Sequence, residues 1–333
     1  MKNSLFRFAL LVFALLPLSA AYAEEPVTTP PKPLKLLTIG NSFSNNAMVY
    51  FAQIAESNGK SVRYYRANKG GANLESHVKA LQASEANPED AAGRPYYKSA
   101  FYPPNKEALH NYSLKEALQA DTWDYVTIQQ LSNDSYKTES FEPFTTTLVD
   151  FIHQYAPQAK ILLFETWAYR EDSPNLAEAG MTQQQMADKI IDAYAKVAAS
   201  HKLPIIPVGH AFQAARATER WHFTFPDPKF DYKNPPDGAV PKQPGSLNRG
   251  WNWNEKKDGK PIFTLDYKHC NSEGQYLIGA VFYEALFGED VRKTPFVPDK
   301  MDPKDATELR RLAHETFASY QGTKTAADSQ SSR

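Results

Sequence analysis

Ser42 stands where a nucleophilic side chain could act. It follows the apolar run Leu36–Ile39, which predicts a buried strand, and the turn-forming pair Gly40–Asn41. A helical pattern then runs over 44–58. A serine at the carboxyl end of the first strand of an α/β sheet lies where such sheets bind ligands, and the nearby helix N-terminus favours developing negative charge. The alternative interpretation is that Ser42 only caps the helix.

Asp266 and His269 could supply the base that such a serine needs. They are three residues apart and come just before an apolar-periodic helix predicted over 272–287. At that spacing both side chains can face one site, with the carboxylate orienting the imidazole. The three residues are therefore a candidate triad in the chain order Ser, Asp, His. His210 is a rival base without an obvious carboxylate partner, and Cys270 is expected to pack in the core rather than react.

The blocks that carry these residues resemble those of the SGNH (GDSL-like) hydrolases. The Gly-Asn-Ser of 40–42 is similar to the first block of that superfamily, with Asn41 where the common motif has Asp. Asp266 and His269 match the last block, and the stretch 124–134 is similar to the third. In the third block Leu131 replaces the usual glycine. The variant spellings look closer to a poorly characterised branch than to the standard lipolytic enzymes.

The resemblance implies a role for each block. Ser42 would be the nucleophile, His269 the base and Asp266 its orienting carboxylate. The oxyanion hole would consist of the N–H groups of Ser42 and Gly71 and the side-chain amide of Asn133. Gly70 is the alternative to Gly71 for the second of these donors.

Several aromatic and amide residues are candidates for substrate binding. They are Trp167, Gln129, Gln130, Trp251 and Trp253. Trp167 follows the fourth predicted strand and could line an acyl or sugar pocket, or pack against a neighbouring loop. The two glutamines lie in an apolar strand, where buried amides must be hydrogen-bonded, so they could also serve only the loop backbone. Tryptophans near the catalytic pair suit stacking on sugar rings, or a lid that only packs on the body.

The alternation of strand-like and helix-like segments predicts an α/β fold. We expect a three-layer α/β/α sandwich around a mainly parallel sheet of about five strands, as the SGNH resemblance also implies. The segments are predicted as a signal peptide (1–23), a flexible lead-in (24–33), an SGNH hydrolase-like domain (34–292) with a structureless lid-like insertion (221–262), a C-terminal helix (293–320) and a disordered tail (321–333).

The composition excludes several classes of protein. The 333 residues carry a formal net charge of −1, so nothing draws the chain to nucleic acid or acidic lipid. One cysteine allows no internal disulfide. The histidines and carboxylates show no metal-ligand spacing and no glycine-rich phosphate loop is present, so neither a metal nor a cofactor is expected. No membrane span is expected after signal cleavage, and the oligomeric state does not follow from the sequence.

These features together predict a periplasmic or secreted serine ester hydrolase. Its expected substrate is a small molecule or glycan that carries an acetyl or other small acyl ester. Two alternatives remain at this point. An O-acyltransferase acting on a glycan could use the same triad, and a non-catalytic carbohydrate-binding protein could have the same fold.

Overall fold

The computed structural model describes residues 32–104, 110–224, 227–255 and 259–331. The predicted signal peptide and nearly all of the predicted lead-in lie outside these ranges.

One sheet organises the described chain. Its strands are β1 (Leu34–Gly40), β2 (Val62–Asn68), β3 (Phe101–Tyr102), β4 (Tyr125–Ile128), β5 (Lys160–Phe164) and β6 (Ile205–Ile206). They lie in the order β3-β2-β1-β4-β5-β6, and every neighbouring pair is parallel except β2 with β3. The expected parallel α/β sheet is confirmed. The additional sixth strand is the two-residue edge β3, which is too short to give a periodic signal in the sequence.

Helices flank this sheet. They are α1 (Ser42–Ser57), α2 (Leu74–Ala86), α3 (Leu114–Gln119), α4 (Phe144–Tyr155), α5 (Pro174–Glu178), α6 (Gln183–His201), α7 (Val208–Arg216), α8 (Ser272–Phe287) and α9 (Pro303–Ser331). The pair α1 and α8 is in extensive contact, and α9 covers α8. Ser113 forms a capping box with Glu116 at the start of α3, so two backbone N–H groups are satisfied there.

Strand β1 is central because both of its edges are paired. Leu36, Leu37 and Ile39 are fully buried, as expected for a parallel strand covered on both faces. The strand order changes direction at β1, with β2 on one side and β4 on the other. The carboxyl ends of strands at such a switch point form a crevice, and the chain leaves β1 into this crevice through Gly40.

The predicted lid over 221–262 is not structureless. Its second half forms an antiparallel hairpin with the following residues, made of β7 (Asn248–Glu255) and β8 (Pro261–Cys270). The alternation of tryptophan and asparagine in 251–254 is the period-two signal of a strand with two different faces. As a result, Asp266 and His269 lie on a strand rather than on a loop.

The C-terminal boundaries also differ from those predicted. Helix α9 begins at Pro303 rather than 293 and extends to Ser331, through most of the tail predicted as disordered. No proline follows Pro303, and the tail contains good helix formers such as alanine, lysine and glutamine. Its polar composition indicated the absence of a core but did not prevent helix formation. Within the described ranges, no helix combines the length and the apolar content needed to cross a membrane.

Gly40 provides a test of how closely the chain is packed where β1 meets α1. A Cβ atom at this position would lie 2.6 Å from Gln129 Oε1 and closer still to Ser44 Oγ. We therefore expect Gly40→Ala to lower the free energy of unfolding by about 1–3 kcal/mol, as overpacking in a core does. Gly70→Ala is the matched control, because a Cβ there meets nothing within 4 Å. Urea unfolding of both variants measures the difference, and equal stabilities would contradict this view of the turn.

Candidate active site

Ser42, His269 and Asp266 form a connected hydrogen-bonded triad. The Nε2 atom of His269 lies 2.8 Å from Ser42 Oγ. The other ring nitrogen, Nδ1, lies 2.9 Å from Oδ2 and 3.1 Å from Oδ1 of Asp266. The carboxylate therefore holds the imidazole so that Nε2 faces the hydroxyl, which is the arrangement needed to remove the serine proton.

Asp266 is kept ionised by hydrogen bonds from its own strand. Burial opposes its negative charge, but donors from the ring and backbone N–H of His269 and from the backbone N–H of Lys268 outweigh that effect. The pKa of the Asp266 carboxyl consequently lies below its ordinary value. A charged Asp266 favours the proton-accepting tautomer of His269 and stabilises the imidazolium that forms when it takes the proton.

Asn41 caps helix α1 and leaves Ser42 free. The Oδ1 atom of Asn41 accepts from the N–H of Phe43 at 3.0 Å, while its Nδ2 donates to the carbonyl of Ala72 at 2.9 Å. The alternative in which Ser42 only caps the helix is therefore wrong. An aspartate at position 41 could accept from Phe43 but could not donate to Ala72, which gives a physical reason for the asparagine in this block.

Gln129 and Gln130 were predicted as substrate contacts, and the structure corrects this. Both side chains are buried, with exposed fractions of 0% and 1%. The Oε1 of Gln129 accepts from the N–H of Asn41 at 3.1 Å and from the Ser44 hydroxyl at 3.0 Å, so it fixes the turn that carries the nucleophile. The Oε1 of Gln130 accepts from the N–H of Leu74 at 3.1 Å, which holds the loop after Gly71.

Trp167 was also predicted as a pocket residue, but it is completely buried. Its indole stacks on the ring of Phe43 with centroids 3.9 Å apart and on the ring of Phe212 at 5.1 Å. Its N–H donates to the carbonyl of Lys268 at 2.9 Å. Trp167 thus contacts the residue after the nucleophile and the residue before the base, and it positions both segments from within the core.

Asn46 gives a second connection between the two catalytic segments. Its Nδ2 donates to the carbonyl of Ser42 at 3.2 Å, and its Oδ1 accepts from the N–H of Cys270 at 2.7 Å. The thiol of Cys270 is buried, and burial raises its pKa well above the ordinary value. A thiol held in its protonated form is a poor nucleophile, so the geometry and the chemistry both favour Ser42.

The three predicted oxyanion donors differ in their hydrogen bonding. Within the described chain, the N–H groups of Ser42 and Gly71 have no hydrogen-bond partner, and Gly71 adopts a φ of 69° in an exposed turn. Asn133 is exposed in the loop after β4, and its Oδ1 accepts from the hydroxyl of Tyr169. The carbonyl of Leu131 closes that loop by accepting from two N–H groups at 2.8 Å, so the turn forms without the usual glycine. The roles of Gly71 and Asn133 stay predictions.

A cavity of about 240 Å³ lies beside Asn133. Its lining is aromatic and polar with several apolar side chains, and it includes Tyr136, Tyr169, Asn175 and Met186. Ring faces combined with amide groups suit a small polar ligand with some apolar surface. The sequence indicated none of these four residues, because each lies in a segment that carries no motif.

Trp251 and Trp253 belong to a different surface. In the hairpin register Gly250 pairs with Asp266 and Trp251 with Leu265, so the two tryptophans are on the hairpin face opposite to the catalytic carboxylate. They pack with Phe263 at centroid distances of 5.2 and 5.3 Å. The structure therefore does not bring them to the triad as the predicted substrate contacts.

His210 has a partner that the sequence did not reveal. Its Nδ1 lies 2.9 Å from Oε1 of Glu165, a carboxylate that is completely buried at the end of β5. Burial lowers the pKa of His210, but the hydrogen bond and charge of Glu165 outweigh this effect and the pKa is raised. The expectation that His210 has no carboxylate partner is therefore wrong. His210 nevertheless bonds to Glu165, whereas His269 contacts Ser42 directly.

One group in the described ranges has the donor atoms of a metal site. It consists of Glu284, Asp290 and His314, whose ligand atoms lie within 4.8 Å of one another. Both oxygens of Asp290 already accept from Arg292, at 2.9 and 2.8 Å, and His314 bonds to Glu284 at 2.9 Å. These ion pairs join α8 to α9 and satisfy the cluster internally.

A family described as "Domain of unknown function (DUF4886)" matches residues 35–224, more than half of the chain. This chain belongs to the DUF4886 family. The match contains Ser42 and Asn133 but ends before β7 and β8, so Asp266 and His269 lie beyond it. No protein of curated function matches the chain in sequence.

Solved structures resemble this DUF4886 chain in fold. A DUF4886 family protein from Bacteroides uniformis ATCC 8492 has 23% identity and a TM-score of 0.65, over 86% of this chain and 95% of that one. An acetylxylan esterase from Geobacillus stearothermophilus has 12% identity and a TM-score of 0.41, over 76% and 94%. A lipase/acylhydrolase from Enterococcus faecalis has 16% identity and a TM-score of 0.40, over 77% of this chain and 96% of that one. The likeness to the Bacteroides uniformis protein supports a shared fold along most of both chains.

The lowered pKa of Asp266 makes a prediction about stability and pH. Because the folded-state pKa lies below the unfolded value of about 3.9, its contribution to stability is present above that value and is lost as the pH falls through the folded pKa. We expect wild type to be more stable than Asp266→Asn at pH 7, and the difference to shrink at about pH 3. Urea unfolding at both pH values measures it. A difference that does not change with pH would contradict the assignment.

Proposed function

We propose that this DUF4886 protein is a serine ester hydrolase that removes acetyl or other small acyl groups from a carbohydrate. The observation that carries the proposal is the continuous contact from Asp266 through His269 to Ser42 Oγ, which no other histidine of the described chain reproduces. A serine hydroxyl bonded to an imidazole that is itself bonded to a carboxylate is the arrangement of an activated nucleophile.

The reaction would proceed in two acyl-transfer steps. His269 Nε2 takes the Ser42 proton while Oγ attacks the ester carbonyl, which forms a tetrahedral oxyanion. The oxyanion collapses, the bond to the alcohol breaks, and the alcohol leaves with the proton from His269. Water then gives a proton to the same nitrogen and attacks the acyl-serine, which releases the acid and restores the Ser42 hydroxyl.

The substrate class is supported by the cavity beside Asn133. The tryptophans first expected to contact sugar rings lie elsewhere, but Tyr136 offers aromatic surface and Asn175 offers an amide at the cavity wall. Such groups suit stacking on a sugar ring and hydrogen bonds to its hydroxyls. The apolar run and small-residue site in 1–23 support the proposal that the protein acts after export, in the periplasm or outside the cell.

The first test is hydrolysis of p-nitrophenyl acetate and butyrate by wild type and by Ser42→Ala. We expect the wild type to release p-nitrophenol, to prefer acetate, and to be labelled covalently by a serine-directed phosphonate. The variant should lose both properties, because the nucleophile is gone. Labelling without hydrolysis would indicate a strict substrate requirement. Neither labelling nor hydrolysis by the wild type would favour the carbohydrate-binding alternative.

The choice of base can be tested with two matched histidine variants. His269→Asn should lower kcat by about 10³-fold or more, since triad residues act as a unit. His210→Asn should leave kcat nearly unchanged, because His210 bonds to Glu165 rather than to Ser42. Both rates are measured with the acetate ester. A larger loss in the His210 variant would overturn the proposed triad.

A further inference from the structure

We infer that Tyr169 is a positioning residue for the oxyanion hole: its hydroxyl orients the Asn133 amide so that the N–H groups face the reacting carbonyl. The inference rests on the proposed ester hydrolysis and adds to it a residue outside the motif blocks.

Asn133 needs such an orienting partner. Its side chain is exposed, and rotation about the terminal torsion of an asparagine exchanges the oxygen and the nitrogen at little cost. An amide that presents its oxygen to an oxyanion repels the developing negative charge, whereas one that presents its nitrogen stabilises it. The position of Asn133 in the loop after β4 is therefore not sufficient, and its rotation must also be set.

The hydroxyl of Tyr169 sets that rotation by donating to Asn133 Oδ1. A second hydrogen bond of 2.9 Å joins the same hydroxyl to Ser132 Oγ. A tyrosine hydroxyl has one proton to donate, so donation to Asn133 makes Ser132 the donor in the second bond. The Nζ of Lys268 lies 5.4 Å from the centre of the Tyr169 ring, within the range of a cation–π interaction that helps to hold the ring in place.

Tyr169 is itself held in place. It is 2% exposed, and its ring meets the ring of Tyr267 edge-on with centroids 5.1 Å apart. The Tyr267 hydroxyl donates to Asn175 Oδ1 at 2.7 Å, at the wall of the cavity. Tyr267 follows Asp266 directly in β8, so contacts between neighbouring side chains connect the base segment to the oxyanion amide. Burial also raises the pKa of Tyr169, which keeps the hydroxyl protonated at neutral pH.

The consequence is that Asn133 Nδ2 is left available. Among the described residues this nitrogen has no hydrogen-bond partner, and Asn133 borders the cavity together with Tyr169. One residue would then shape the substrate cavity with its ring and orient the oxyanion donor with its hydroxyl.

The test is Tyr169→Phe, which removes the hydroxyl and keeps the ring. We expect kcat for the acetate ester to fall about tenfold, the worth of one hydrogen bond, with KM and the melting temperature nearly unchanged. Tyr125→Phe is the matched control. Tyr125 lies at the start of β4, away from the carboxyl edge of the sheet, and no hydrogen bond joins its hydroxyl to a described residue, so this variant should retain the wild-type kcat.

A double-mutant cycle shows whether Tyr169 acts through Asn133. Asn133→Ala alone should lower kcat by about 10²–10³-fold, as the loss of one oxyanion donor does. Adding Tyr169→Phe to that background should cause no further loss, since there is no amide left to orient. If the two substitutions lower kcat additively, the inference is wrong. It is also wrong if Tyr169→Phe changes KM alone.

Two further outcomes separate the inference from the function on which it rests. If Tyr169→Phe does not fold, Ser132→Ala can be used instead, because it removes the other hydrogen bond of the Tyr169 hydroxyl. Ser132→Ala should lower kcat less than Tyr169→Phe would, and this loss should also vanish in the Asn133→Ala background. If Ser132→Ala does not lower kcat although the wild type hydrolyses the ester, the inference is wrong and the proposed function is unaffected. Absence of hydrolysis and of phosphonate labelling in the wild type would overturn the proposed function and the inference together.

Discussion

The contact between Ser42 and His269 is the constraint on which the candidate site depends. The two residues are 227 positions apart in the chain and must meet within 2.8 Å. Packing of α1 against α8 brings the two ends of the chain together, since one helix follows the nucleophile and the other follows the base. Asn46 and Trp167 then fix the final distance, because each bonds to or stacks on both catalytic segments.

Buried amides carry out most of the remaining positioning. Asn41, Gln129 and Gln130 are almost fully inaccessible and join the ends of β1 and β4 to the loop after β2. A buried amide without partners would be costly, and an amide with all its partners at fixed distances resists displacement. Rigid support of this kind allows catalytic groups to stabilise charge without reorganising during the reaction.

The sequence predicted the triad and the parallel sheet because both leave local signals, such as the turn after an apolar strand and the three-residue spacing of Asp266 and His269. It did not predict which polar or aromatic residues are exposed. Gln129 and Trp167 could have met either substrate or protein, and only the packing of distant segments decides. Tyr169 gave no signal at all, since its role depends on a contact with Asn133 across 36 positions of sequence.

The buried location of the single cysteine makes its thiol a natural probe of local opening. Cys270 is buried next to His269, so the packing around this end of the hairpin must open before a reagent can reach the sulfur. The rate at which a thiol reagent modifies the native protein therefore reports the opening of this hairpin, without any introduced label. Comparison of that rate with the rate of global unfolding would separate local fluctuation of the catalytic strand from loss of the whole fold.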